Sequence, residues 1–523
     1  MPKNNFNEGK MKAFLTCLVL ATLTFAETGT STVIGAERTR NLRGLDYAPM
    51  LFEFHRQTTG EGRHFFTYPQ RDTTFRKNFF KNNINAMAYF DNVGFASEHL
   101  ADSATYKQKK SNSKHNYAIA VSPILGIDYK ASTALGDTIW PAIDGGLYIR
   151  GFADSLDFDL DARIYSEGHA AKKPKSYDHE VFDVQSKDRG DGGIDYVSYA
   201  RYRAHLGFNY AWMRLQLARD VLHWGPGYYN NLSLNQFALP YNMLSLDLVF
   251  GPLRVFSVYA DLRVNSWSYS KENLNDRNFY GHRYELSLSN VTFGISELQY
   301  LYNENKPWLF VPIAPLFIEK GNYSERVNNG AIAFDVNVQL FKMARVYGEF
   351  FLDDMESPYA VYQNRYSNNR WAAMLGMQVA KDLEVKGKEL QLGTIAEIAR
   401  VEPYTYCHYD TAQAQMAHLG LPMGNPNGPN SLAIDWTIYS RLFWNASTKF
   451  FFGLHNKWLW KGIDYGSNIE DPYKTVAKKF ISGAPLQYTI SPSLSYIGRY
   501  ASFEMDLTFG DETAFFVRTT LHW

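Results

Sequence analysis

Cysteine is almost absent: the chain has 2 among 523 residues, and Cys17 lies inside an apolar run near the N-terminus. If that run is cleaved on export, Cys407 stands alone, which excludes an intramolecular disulfide framework. Net charge is absent too, with 53 Lys and Arg against 53 Asp and Glu. That balance excludes the general attraction to nucleic acid that a basic excess provides, so no nucleic-acid partner is expected. Beyond the N-terminal region no apolar stretch reaches the ~20 residues that a spanning helix needs. HExxH, paired CxxC, a Walker loop, GxGxxG after a strand and a GxSxG elbow are all missing. No enzyme class announces itself, and neither a cofactor nor a metal is expected.

What is present begins with an address. From Met11 the chain reads MKAFLTCLVLATLTFAETG, with Lys12 before an apolar run and small residues before Glu27. This is the pattern of a cleaved secretory signal, so residues 1–26 are read as signal peptide with Met11 as the true start. Aromatic residues make up 16% of the chain, which favours strands and membrane-interface belts over a helical protein.

Alternation carries the fold. In LDFDLDARIY, Leu156, Phe158, Leu160, Ala162 and Ile164 share one face, and Asp157, Asp159, Asp161, Arg163 and Tyr165 share the other. The same pattern recurs from Phe334 to Leu340, from Leu432 to Leu442 and from Phe503 to Phe509. Acids and arginines opposite an apolar face, repeated along a long exported chain, predict lipid outside and a wet lumen inside. About 18 candidate strands fall between residues 116 and 523, and the links between them alternate long and tight, as in barrels with long extracellular loops and short periplasmic turns. The expected fold class is therefore all-β, a transmembrane antiparallel outer-membrane barrel of about 18 strands spanning 116–523, in a Gram-negative-type bacterium with periplasmic termini. Outer-membrane lipids and lipopolysaccharide become expected partners. The final strand ends on an aromatic, Trp523, resembling the signal read by the outer-membrane assembly machinery. Residues 27–115 form a segment that either plugs the lumen or sits in the periplasm, and inserted loops are expected to fill part of the lumen.

Several stretches invite a chemical reading. Asp157, Asp159 and Asp161 spread over ~13 Å of strand, which favours a lumen ladder over a metal site. The loop from Asp188 to Asp195 is acidic and glycine-rich but lacks EF-hand spacing, and reads as a solvated loop. His408 and His418 lack metal-ligand spacing and read as structural. Residues 302–329 contain KPWLFVPIAPLFIEKGN, too apolar for water, with Pro312 and Pro315 opposing a regular helix. A segment folded into the barrel mouth is expected there.

The stretch from Tyr202 to Leu246, containing RDVLHWGPGYYNN, is similar to the signature of the Wzi family of capsule assembly proteins. Two further segments resemble that family: VYGEFFLDD, containing Glu349 and ending in Asp353 and Asp354, and HLGLPMGNPNGPNS, containing Gly424 and Gly428. The resemblance implies a lectin-like outer-membrane barrel that holds exported capsular or related polysaccharide at the cell surface. A sugar site needs flat aromatic faces together with amide and charged groups, and Arg219, Trp224, Tyr228, Tyr229, Asn230 and Asn231 supply those types. The alternative is that Trp224 packs into the wall while Gly225, Pro226 and Gly227 shape a turn. Two other functions compete: a diffusion channel, and a polysaccharide-modifying enzyme, for which Glu349 and Asp353 are the acids to test.

Overall fold

The computed structural model describes residues 49–60, 65–68, 117–132, 140–153, 155–170, 182–188, 194–210, 212–263, 277–302, 304–313, 315–322, 328–354, 369–408, 415–445, 448–471, 478–498, 500–511 and 513–522. The signal-peptide segment, most of 27–115, the centre of the acidic glycine-rich loop at 189–193, and Trp523 lie outside them.

Eighteen strands close an antiparallel barrel. They are β1 (Tyr117–Ser132), β2 (Trp140–Ala153), β3 (Leu156–Ala170), β4 (Ile194–Tyr210), β5 (Met213–Asp220), β6 (Tyr241–Phe250), β7 (Leu253–Leu262), β8 (Arg277–Leu288) and β9 (Val291–Tyr302). The second half comprises β10 (Asn328–Leu340), β11 (Ala344–Asp354), β12 (Arg370–Val385), β13 (Lys388–Val401), β14 (Ser431–Asn445), β15 (Thr448–Lys461), β16 (Leu486–Ile497), β17 (Ala501–Gly510) and β18 (Ala514–His522). Each pairs with the next, and β18 returns to β1 through Ile124 opposite His522. Closure removes the edge that an open sheet would leave unpaired.

Faces follow the alternation. Ile164 is 68% exposed and Leu375 66%, whereas Asp144, Arg283 and Glu285 are fully buried. Apolar side chains outside and charges inside invert the soluble pattern and suit a wall in lipid. Exposed Tyr210, Trp212, Phe250, Phe341 and Trp444 all sit beside tight turns, forming one aromatic girdle. Inside, the Asp157 carboxylate takes two hydrogen bonds from Arg214 at 2.7 Å, and Asp161 takes two from Arg163 at 2.7 and 2.8 Å, so both acids serve a charge ladder.

Three departures from the sequence expectations are informative. A short strand, Phe182–Asp188, pairs with β4 inside the expected long loop 166–197. The strand expected over 389–410 stops at Val401, because Pro403 has no N–H to continue the ladder and Tyr404 and Tyr406 take φ of 66° and 72°. The apolar stretch at 302–329 does not enter the barrel mouth. Its residues 307–313 and 315–322 form short helical turns against the outer wall, where Ser257 donates to the Phe310 carbonyl and Tyr284 donates to the Pro312 carbonyl at 3.2 Å. Ser257 and Tyr284 face outward, opposite in sense to the lumen residues Arg254 and Arg283 of the same strands.

Helix α1 (Pro49–Thr59) lies within the lumen. Phe52 packs edge-on against Tyr439 and Phe451, with the Arg441 guanidinium 3.6 Å above its ring. The last carbonyls of this helix need partners, and the Gln339 amide donates to those of Gln57 and Thr58, and to that of Gly60 just beyond the helix, at 2.9–3.2 Å.

Candidate functional site

The segment 221–240 turns inward and is buried almost throughout. His223 and Trp224 pair with Thr67 and Tyr68 in a two-residue ladder, and Trp224 also bridges Leu234. Gly225 carries φ of 121°, a conformation that side chains resist, and its N–H donates to the Phe66 carbonyl at 3.0 Å. Asn231 closes the turn: its amide N donates to the Trp224 and Leu234 carbonyls, and its Oδ1 accepts the Gly227 N–H. The Pro226 carbonyl accepts from Arg345 at 2.8 Å.

A loop without regular structure cannot be buried unless its main-chain groups are satisfied. Wall carboxylates do this here. Glu397 on β13 accepts the N–H groups of Tyr228, Tyr229 and Asn230 at 2.6, 2.9 and 2.8 Å, together with the Tyr347 hydroxyl at 2.7 Å. Glu349 on β11 accepts the N–H groups of Leu232 and Ser233 and the Ser233 hydroxyl. Asp353 accepts the Tyr406 N–H at 2.8 Å, and Asp354 pairs with Arg370 at 2.7 Å. Asp435 on β14 accepts the Asn230 side-chain amide at 2.6 Å and pairs with His455.

The glycine-rich segment packs on top. Asn235 donates from its N–H to the Met423 carbonyl at 2.7 Å, and the Asn425 side chain donates to the Asn230 carbonyl. Gly424 sits against the Leu232 carbonyl and the Tyr406 ring, with no room for a Cβ. The Gly428 N–H closes a turn onto the Asn425 carbonyl. Burial pushes the His223 and His418 imidazoles down to about 3 and raises the Cys407 thiol and the Tyr228 hydroxyl.

Most sequence candidates thus converge. Trp224, Gly225, Pro226, Gly227, Asn230 and Asn231 form one buried unit with Glu349, Asp353 and Gly424. Trp224 is 0% exposed, its ring edge-on to Phe256 in the main apolar cluster. Arg219 stands apart: it shares the outer face of β5 with Leu215 and Leu217, donates to Asn242 and the Pro240 carbonyl, and lies over the Tyr202 ring. Tyr229 keeps partial exposure and stacks on His455 at 4.3 Å and on Phe237 at 6.4 Å. Sequence reasoning missed Glu397 and Asp435. Their signal was an acid at a lumen position amid apolar neighbours, shared with many other strands. Among the described residues no group of His, Cys, Asp and Glu could hold a metal ion.

No family model and no curated protein matches this chain. Among solved structures it is similar to Wzi of Escherichia coli, an outer-membrane protein involved in group 1 capsule assembly and described as a carbohydrate-binding β-barrel. The TM-score is 0.52 at 11% identity, covering 91% of this chain and 96% of that one. Matches to OccAB1 of Acinetobacter baumannii and to the outer-membrane protein OpdK of Pseudomonas aeruginosa are weaker. Their TM-scores are 0.40 and 0.39 at 9% and 10% identity, covering 77% and 78% of this chain and 96% and 99% of theirs. What the chain shares with Wzi is a fold, that of an outer-membrane β-barrel.

Proposed function

We propose that this protein is a lectin-like outer-membrane barrel, its long loops extracellular and its termini periplasmic, that binds exported capsular or related polysaccharide and organises its attachment at the cell surface. The observation that carries the reading is the filled lumen. Segment 221–240 is pinned across the barrel by Glu397, Glu349 and Asp435, with α1 and the segments 402–408 and 415–430 packed beside it. A diffusion channel needs a continuous wet path, and an apolar cluster reaching from Leu222 to Ile469 works against one. The likeness in fold to a carbohydrate-binding barrel points the same way.

Within this reading the candidates divide by exposure. Trp224, Asn230 and Asn231 hold the frame. Tyr229, backed by Phe237 and His455, offers a ring to the apolar side of a pyranose, and half-buried Asn427 offers an amide to its hydroxyls. Binding without turnover is the expected action, since the carboxylates of Glu349 and Asp353 are engaged by main-chain N–H groups. The deciding experiment deletes the gene and stains for cell-bound against shed polysaccharide. Unchanged retention sinks the lectin reading, and steady conductance of the wild type in planar bilayers favours the channel.

A further inference from the structure

The outer wall of β7, β8 and β9 changes character along its length. Cross-strand registers place Leu286 opposite Leu253 and Phe293, and Tyr284 opposite Val255 and Ile295. His282 lies opposite Ser257 and Glu297. Directly paired residues share a face, so one outward surface runs from exposed apolar side chains near the tight turn to buried polar ones toward the long-loop rim. A bare polar strip of this kind would be costly against lipid.

Residues 304–313 and 315–322 cover that strip. Leu309 and Leu316 are fully buried in an apolar cluster with Tyr280 and Leu301 on the outside of the barrel. The irregular backbone is satisfied by wall side chains. Asn278 donates to the Glu304 carbonyl at 2.7 Å, and the Tyr280 hydroxyl accepts the Lys306 N–H at 2.9 Å. Ser257 and Tyr284 donate to the Phe310 and Pro312 carbonyls, and Asn328 to that of Lys320. From Asn278 to Tyr284 these contacts descend roughly 20 Å along the strand, which is well into the depth of a bilayer core. Irregular backbone at such depth is tolerated where protein satisfies it. The opposite face of the segment carries Trp308, Val311, Ile313, Phe317 and Ile318, all exposed, with Ile313 86% and Ile318 72%.

We propose that residues 304–313 and 315–322 form a lipid-immersed strap: the wall holds its polar backbone, and Trp308, Val311, Ile313, Phe317 and Ile318 contact acyl chains of the bilayer leaflet on the long-loop side. Continuity with the exposed apolar band at Leu253, Leu286, Phe293 and Ile295 selects lipid as the occupant. The inference rests on the barrel fold and is independent of any polysaccharide.

The test places nitroxide labels at Ile313→Cys and Ile318→Cys in the full chain with Cys17→Ser and Cys407→Ser, reconstituted in phosphatidylcholine vesicles. Phe293→Cys serves as the lipid-facing reference and Glu470→Cys, on an exposed loop, as the aqueous one. The expected result is collision with oxygen exceeding collision with a water-soluble nickel chelate, a positive depth parameter matching Phe293→Cys. Access to the chelate like that of Glu470→Cys overturns the proposal. Protection from both reagents also overturns it, since the face would then be covered by protein, a second copy of this chain included.

Discussion

Glu397 accepts the Tyr228 N–H at 2.6 Å, joining residues 169 positions apart and tying an inserted loop to the opposite wall. The same carboxylate takes the next two main-chain N–H groups, so its removal releases a whole turn. For Glu397→Gln, the expected loss is about 3 kcal/mol of local stability. Hydrogen exchange at Tyr228, Tyr229 and Asn230 then quickens on the order of 100-fold. Unchanged exchange would show that the carboxylate does not hold the loop.

Trp224 fills the apolar cluster around Phe256, and Trp224→Ala leaves a cavity worth about 3–5 kcal/mol. The loop is expected to loosen, and brief openings to appear in planar-bilayer recordings where the wild type is quiet. A silent variant would place the constriction elsewhere in the lumen.

Acid should free the same loop. His223 in this loop and His418 in the glycine-rich segment are buried neutral with values pushed down to about 3, below the ordinary 6.5. A released loop therefore binds protons more readily than the packed one. The stabilisation is whole above about pH 6.5 and declines as pH falls toward 3. At pH 4.5 each imidazole costs about 2.7 kcal/mol, so exchange at Trp224, corrected for intrinsic rate, rises on the order of 100-fold and the rise shrinks in His223→Gln. A flat profile between pH 7 and 4.5 contradicts this.

The lipid-facing wall is testable at Leu375, which is 66% exposed near the middle of β12. In lipid, Leu375→Arg is expected to destabilise the refolded barrel by about 2–4 kcal/mol in urea titration. On a water-facing surface the same change would be almost neutral.

Tyr229 is the proposed sugar platform. Tyr229→Ala should weaken polysaccharide binding about tenfold, or ~1.4 kcal/mol. Heat-modifiable mobility in gels would report an intact barrel. Binding equal to wild type would move the contact to another residue.

Period-two alternation made the strands legible, because a face in lipid and a face in a charged lumen demand opposite side chains. Strand β6 starts at Tyr241 and ends at Phe250, as its pattern predicts. Alternation says nothing about where a loop goes. The segment at 221–240 reads like any turn-rich connection, yet Glu397, Glu349 and Asp435 draw it inward. The stretch at 304–322 is visibly apolar, but apolarity is equally consistent with a lumen plug and with a lipid contact.

The sequence alone determined a closed barrel of about 18 strands, because each strand carries its own two-faced pattern and local periodicity needs no distant partner. Tertiary structure alone decided the interior: which carboxylates capture which main-chain N–H groups, that Trp224 is a buried strut, and that Arg219 stands on the other side of the wall. Those outcomes depend on residues far apart in the chain meeting across a closed lumen, where an unpaired buried N–H or carboxylate is costly and each must find a particular partner.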